Sequence, residues 1–583
     1  MGGHFMDKAV EKLKIGKTLR GTGDNWDIRI LAGHMRKLKG NVDLHLFASN
    51  IIENRVDFSH LSNDVPKCPI EDLPRSAFSL NVQEWKKYVA TSKVLIGRIL
   101  LKFFPKFGFL KHCIPNHIEH QYNVQMKQAS NIISMPIINA NENNYADCVK
   151  ILRTYESWIA EMYNEAGLLE EIPAVENPPL PDIPTATAGQ RLAHTIFTEN
   201  DEMKEMKIAF AGDQLTRVRF AGAKHLMGGH HTPADRFEHC SPFKPVMWHT
   251  KASILQYCYH LLYKPESVLE VGTIKFFREK YNRKNVTPTK VLDSYEGCEE
   301  LFISLGTAYI INAALKFFGM TNLDDKPTNH KFPKDLMHKT QEEKTQYFDK
   351  VLLEFVETYV IQKNIDCAID DYVCNYGLSC IYFTILLLQM KDTAKEADGG
   401  RNLINQKLCL NVFKSLGAYS KYALEMFIAI AQVESLLTPR LAEEFKWSYF
   451  VSWRGGSGNN IEDDCAQEIS NKIGKSIVQG MGPNKSLESI SRVCKAVSGI
   501  KETITNFDKV AGIHRNSSKH TTTESETDEI KMIKDLQKLK PFESRPRAHP
   551  SFPSIKRFPA RYMNVTEFNN WLKTHVNEIK TLI

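Results

Sequence analysis

Met206-Lys-Ile-Ala-Phe-Ala-Gly212, running straight into Asp213-Gln-Leu-Thr216, is the stretch on which the fold turns. A short apolar run closed by glycine and an acid has the pattern of a buried strand. A carboxylate at the C-terminal edge of a central strand projects into the crevice where α/β sheets bind ligands. The plainer role for Asp213 is that of a strand-end cap or turn residue.

Two other acidic stretches lie far away on either side. Upstream, Gly21–Asp27 reads GTGDNWD. Its side chains suit an Asx-type turn, or else present Asp24 or Asp27 to a site; the spacing does not choose between the two. Downstream, Ile461–Glu468 reads IEDDCAQE and opens a helix. Asp464, Glu468, Asn471 and Lys475 recur there at spacings of four and three, which places them on one helical face. Acids in a first helical turn are also favoured by the helix dipole alone. Carboxylates gathered from separate elements hold hard cations such as Mg²⁺ or Mn²⁺ through oxygen. Two such ions about 4 Å apart activate an attacking hydroxyl and stabilise the leaving oxyanion of a phosphodiester. Without metal or protons the carboxylates repel one another.

The rest of the chain sets the frame. A net charge of +7 permits a nucleic-acid partner without requiring one. The 12 cysteines form no C-x-x-C pair, and with no apolar leader this suits a reducing, intracellular compartment. The apolar runs Val94–Phe104 and Ile381–Met390 are too short to span a bilayer, so no membrane is expected. Asp43–Val56 suits a strand; Trp85–Phe109 and Tyr145–Ala166 read as helices. Glu170–Gly189 is Pro-rich and reads as a linker. Helical periodicity dominates from Trp248 to Trp447. Beyond Gly512 the Ser, Thr, Pro and charged composition points to disorder, with one last short helix over Val565–Ile579.

Other chemistry is weaker. His225, His230, His231, His239, Cys240 and His249 fit no standard zinc spacing. Arg217, Arg219 and Lys224 suit phosphate contacts or ordinary surface charge. The cations and aromatics of Arg98–Lys111 suit base stacking or, more simply, a core. Gly455–Gly458 lacks a P-loop ending, and there is no G-x-S-x-G elbow.

The ordered series GDQLT (212–216), Arg219, Trp248-His249, Phe317-Phe318-Gly319, Asp398-Gly-Gly-Arg401, Gly455–Gly458, Asp464-x-x-x-Glu468-x-x-Asn471-x-x-x-Lys475 and Ile490-x-Arg492 resembles the domain of unknown function 6589 family, found in transposon-derived proteins. The resemblance runs from about Gly21 to Ile500. It implies an α/β, RNase H-like core with a large all-α insertion, and a DDE-type triad of Asp24, Asp213 and Glu468. In that reading Asp24 and Asp213 bridge two Mg²⁺ or Mn²⁺ ions and Glu468 holds one of them. Arg219, His249, Asn471 and Lys475 meet DNA or orient the third acid. The expected activity is DNA strand cleavage and transfer, in the nucleus, with self-association left open. A domesticated copy that keeps the fold as a DNA- or protein-binding module is the alternative. Two departures stand out: Arg20-Gly-Thr-Gly precedes Asp24 in place of an apolar strand, and Ile469 follows Glu468 in place of His. The implied organisation is an N-terminal core part (1–169), the linker (170–189), the second acidic motif (190–250), the helical insertion (251–447), the third acidic motif (448–512) and a disordered tail (513–583).

Overall fold

The computed structural model describes residues 4–30, 40–169, 203, 206–363, 370–415, 420–481, 485–513, 525–543 and 545–582. The Pro-rich stretch 170–189 lies outside the described residues. In chain order the N-terminal part forms α1 (Phe5–Lys14), β1 (Leu19–Ile30), β2 (Val42–Glu53), α2 (Val82–Phe103), β3 (Ile132–Ser134) and α3 (Tyr145–Glu165). Next come β4 (Ala209–Ala211), α4 (Gln214–Met227) and β5 (Phe243–Lys244). The main helices of the following segment are α5 (Met247–Leu262), α6 (Tyr295–Phe318), α7 (Gln341–Phe355), α8 (Tyr372–Glu396), α9 (Gly399–Ser415), α10 (Ser420–Ala431) and α11 (Pro439–Trp447). The chain then returns through β6 (Phe450–Val451), β7 (Ile461–Glu462), α12 (Asp463–Gly480) and α13 (Leu487–Ala511), and ends in α14 (Ser525–Leu539) and α15 (Val565–Leu582).

The protein is mixed α/β. Five strands form one sheet in the order β3-β2-β1-β4-β5. β1 pairs antiparallel with β2 and parallel with β4; β3 is antiparallel to β2, and β5 parallel to β4. The stretch around Asp24 is therefore the central strand, not a turn. Its glycines give the reason. A Cβ on Gly21 would lie 2.1 Å from the Phe210 ring, and one on Gly23 would lie 2.6 Å from the Phe47 ring. Those rings supply the apolar cover that β1 lacks in its own side chains.

Strand alternation then sorts the two faces. Leu19, Phe47, Ile51 and Phe210 turn toward α1, α3 and α4, where Tyr155 stacks on Phe210 at 4.3 Å. Trp26, Ile28 and Leu46 turn the other way, onto Val478 of α12 and Ile490 of α13.

The helices from α5 to α11 share a second, larger core. α6 and α8 are long and apolar enough to cross a membrane by length and composition, and the greater part of the most apolar stretch of each is buried inside this core. A helix apolar all round needs partners all round, and here other helices provide them. Phe103, Phe104, Phe107 and Leu110 of the basic-aromatic stretch belong to the same core.

The disorder expected beyond Gly512 is corrected for residues 525–543 and 545–564, and the last helix expected over Val565–Ile579 is present as α15. Met532, Ile533 and Leu536 of α14 and Phe568 and Leu572 of α15 are buried in the helical core. Arg547 forks onto Asp371 at 2.6 and 3.0 Å, and Lys102 meets Glu529 at 2.7 Å. Average composition hid the few apolar residues that carry this docking, because they are spaced at helical intervals among charged ones.

Candidate functional site

β1 and β4 run parallel with Thr22 opposite Ala211. Asp24 and Asp213 each stand two residues further on, so the register sets them side by side at the same end of the sheet. Asp213 caps α4, its Oδ1 accepting from the Thr216 amide at 2.7 Å. Asp213 thus stands at the strand end and caps the next helix at once, a helix role that the sequence alone did not assign.

α12 is keyed to β1 through Trp26. The indole Nε1 donates to the Asn471 carbonyl at 3.0 Å, and a Cβ on Gly474 would sit 3.0 Å from the ring. One face of α12 thereby meets Asp24. A chain of amides runs to it: Asn50 donates to Gln467 at 2.6 Å, Gln467 to Asn471 at 2.9 Å, and Asn471 Nδ2 to Asp24 Oδ2 at 2.9 Å. Asn471 orients the first acid, where the sequence suggested the third acid or a phosphate.

The acids act on one another. Burial, then the charges of Glu468, Asp213 and Glu142, push the Asp24 carboxyl up to about 7, against one opposing backbone hydrogen bond from Asn25. Glu468 is exposed on α12. Among the described residues none of Asp24, Asp213 and Glu468 forms an ion pair with lysine or arginine. Nor do any three His, Cys, Asp or Glu side chains among them stand ready to share a metal ion. Asp27 lies three residues along β1 from Asp24, on the other face, and pairs with His45 at 2.7 Å.

Glu142 belongs to none of the sequence motifs. It is buried ahead of α3, accepts from Thr216 Oγ1 at 2.6 Å and faces Arg219 at 3.4 Å. Burial pushes it up to about 7; Thr216 and Arg219 oppose the shift and Asp213 and Asp27 add to it. It sits in an unremarkable loop, Asn139–Asn144, with no local signal. Arg219 is thus paired with a carboxylate, and Arg217 forks onto Glu425 at 2.5 and 2.6 Å.

The start of α12 is held differently. Glu462 pairs with Lys251 at 2.6 Å, Asp463 with Lys244 at 2.6 Å and Asp464 with His249 at 3.0 Å. Asp464 also accepts the backbone amides of Trp248 and His249, capping α5. Burial pulls the His249 imidazole down, but the Asp464 hydrogen bond and charge, with Asp213 and Glu468 behind them, raise it to about 9. His249 is therefore a cation facing the acids. Lys475 and Lys472 line a groove of about 1070 Å³ beside Glu468, closed on its far side by the start of α6. The remaining histidines disperse: His239 is buried against Glu156 at 2.7 Å, while His225, His230 and His231 are exposed.

Comparison with curated proteins and with solved structures returns no match. One family model does match, over residues 70–520; that span includes Asp213, Glu142 and Glu468 and begins after β1, so Asp24 precedes it. With more than half of its length matched, the chain belongs to a family of unknown function (DUF6589).

Proposed function

We propose that the chain has an RNase H-like core of transposase descent, and that it cleaves and joins DNA phosphodiesters with divalent metal. The observation that carries this reading is geometric: the β1/β4 register sets Asp24 beside Asp213, and α12 meets Asp24 through Asn471, so that burial first, and then the charges of Glu468, Asp213 and Glu142, push Asp24 up to about 7. The sheet order, three antiparallel strands followed by two parallel ones, supports it. So does the return of the chain to the sheet through α12 after a long helical segment.

The donor set suits Mg²⁺ or Mn²⁺ in chemistry and charge. It is all oxygen, and a cation among the acids relieves the repulsion that Asp24 bears. Asp24, Asp213 and Glu468 would hold the metal. When bound, it supplies an activated water or 3′-hydroxyl and charge to stabilise the leaving oxygen. Asn471 keeps the Asp24 carboxylate turned toward α12, and His249, raised to about 9, contributes a positive charge toward Asp213 and Glu468 at neutral pH. A DNA substrate implies a nuclear location.

The second reading is a binding module that kept this fold and lost the chemistry. It is favoured by one observation: no three metal-binding side chains converge among the described residues. Supercoiled plasmid incubated with the full chain and Mn²⁺ separates the two. The catalytic reading expects nicking that Asp213→Asn abolishes while the circular-dichroism spectrum stays unchanged. No nicking by the wild type, or equal nicking by the variant, leaves the binding module.

A further inference from the structure

The groove beside Glu468 has two unlike walls. On α12, Glu468, Lys472, Lys475 and Gln479 recur at intervals of four, three and four, so they form one line along the helix. At 1.5 Å per residue the two lysines stand about 6 and 10 Å along the helix from the acid. The opposite wall is built from the starts of α6 and α5: the exposed Asp293 just before α6, Glu296 and Tyr295 in its first turn, and Trp248 of α5, whose ring lies 5.5 Å from that of Tyr295. Glu299, on the same wall, pairs with Lys391 at 2.8 Å and accepts from the Tyr295 hydroxyl.

We infer that this groove takes an unpaired stretch of nucleic acid, its phosphate backbone along Lys472 and Lys475 and its bases against the α6 wall. The inference rests on the phosphodiester reading above and names the form of its substrate. Cations in a line track a backbone, and aromatic faces accept bases of any sequence. Carboxylates on the far wall repel phosphate but accept hydrogen bonds from base amino groups. A duplex in the same place would press its second backbone onto the exposed Asp293. A single strand has only one backbone to place, and the lysine wall takes it.

Fluorescence anisotropy of the full chain tests this, with a labelled single-stranded oligonucleotide and the matching duplex, in Ca²⁺ to prevent turnover. The single strand binds more tightly than the duplex. Lys472→Ala with Lys475→Ala weakens single-strand binding on the order of 25-fold at 0.1 M salt and lowers the slope of log K against log salt by about 1.4, the loss of two phosphate contacts. Lys350→Ala, at an exposed position of α7, leaves binding unchanged. Equal affinity for strand and duplex, unaltered binding by the double variant, or no binding by the wild type overturns the inference. Mn²⁺-dependent nicking is scored separately. Nicking with lysine-independent binding removes only the groove; lysine-dependent strand binding without nicking removes only the catalytic reading.

Discussion

Glu462, Asp463 and Asp464 stand at the start of α12, and Glu468 follows about one turn later, yet the two places treat acids in opposite ways. Each of the first three has its own buried or half-buried cation, Lys251, Lys244 or His249. Asp24, Asp213 and Glu142, across from Glu468, are met chiefly by an amide, a backbone N–H and a hydroxyl, with Arg219 at the edge of Glu142. Dipoles orient a carboxylate without cancelling its charge on a neighbour. The first group anchors the helix, and the second keeps repulsion that a bound cation can relieve. The first group's partners all come from Lys244–Lys251, so one short stretch of chain fixes the end of α12 from which Glu468 projects.

The largest effect expected from this contrast is at the anchor. Burial pulls the Lys244 ammonium down to about 8 and pushes Asp463 up, so neither ion is comfortable without the other. Asp463→Ala strands Lys244 on the carbonyl and hydroxyl of Ser448 and costs about 4 kcal/mol in urea unfolding. Replacing both partners, Lys244→Met with Asp463→Leu, recovers most of that loss, because the desolvation penalty disappears with the charges. A single-variant loss below about 1 kcal/mol would mean that packing, not pairing, anchors α12.

The pair next to it titrates. The His249 imidazole is raised to about 9 in the fold, from an ordinary 6.5. Its contribution, about 3 kcal/mol, is therefore complete below pH 6.5 and is lost as pH rises through 9. Asp464 is held below its ordinary value: burial opposes this, and the His249 hydrogen bond and charge prevail, so acid removes the pair from the other side. Stability measured by chemical denaturation falls between pH 6.5 and 9 in the wild type and flattens in His249→Gln. The same slope in both proteins would break the assignment.

How much of this the sequence held depends on whether the deciding contact is local. The strand before Asp213 and the helices of 248–447 were legible because their apolar spacing is a property of neighbouring residues. So was the shared face of Glu468, Asn471 and Lys475, which the groove and the Asp24 contact use. β1 was harder, since its apolar cover is lent by Phe47 and Phe210 from other strands. Helical spacing puts Asp464 and Glu468 on one acidic face, but the partner of Asp464 is His249, 215 residues earlier. Glu142 carries no pattern at all; only folding brings it to Thr216 and Arg219.

The smallest effect probes the repulsive group directly. Asp24 has a folded value of about 7 against 3.8 when free, so the fold retains the proton over that interval. The penalty for ionising it is absent below about pH 4, grows as pH rises, and is complete above about pH 7. Asp24→Asn removes the charge and keeps an oxygen for the Asn471 amide. It should therefore stabilise the protein at pH 8 by about 2 kcal/mol, half of what the full shift would give, because Asp24 is only half-buried and water screens it. The gain should vanish toward pH 4. Mn²⁺ raises the wild-type melting temperature at pH 8 and leaves Asp24→Asn nearly unmoved, since the cation and the substitution relieve the same repulsion. If Asp24→Asn is instead destabilising at pH 8, Asp24 is a paired structural acid like Asp463, and the contrast between the two ends of the site fails.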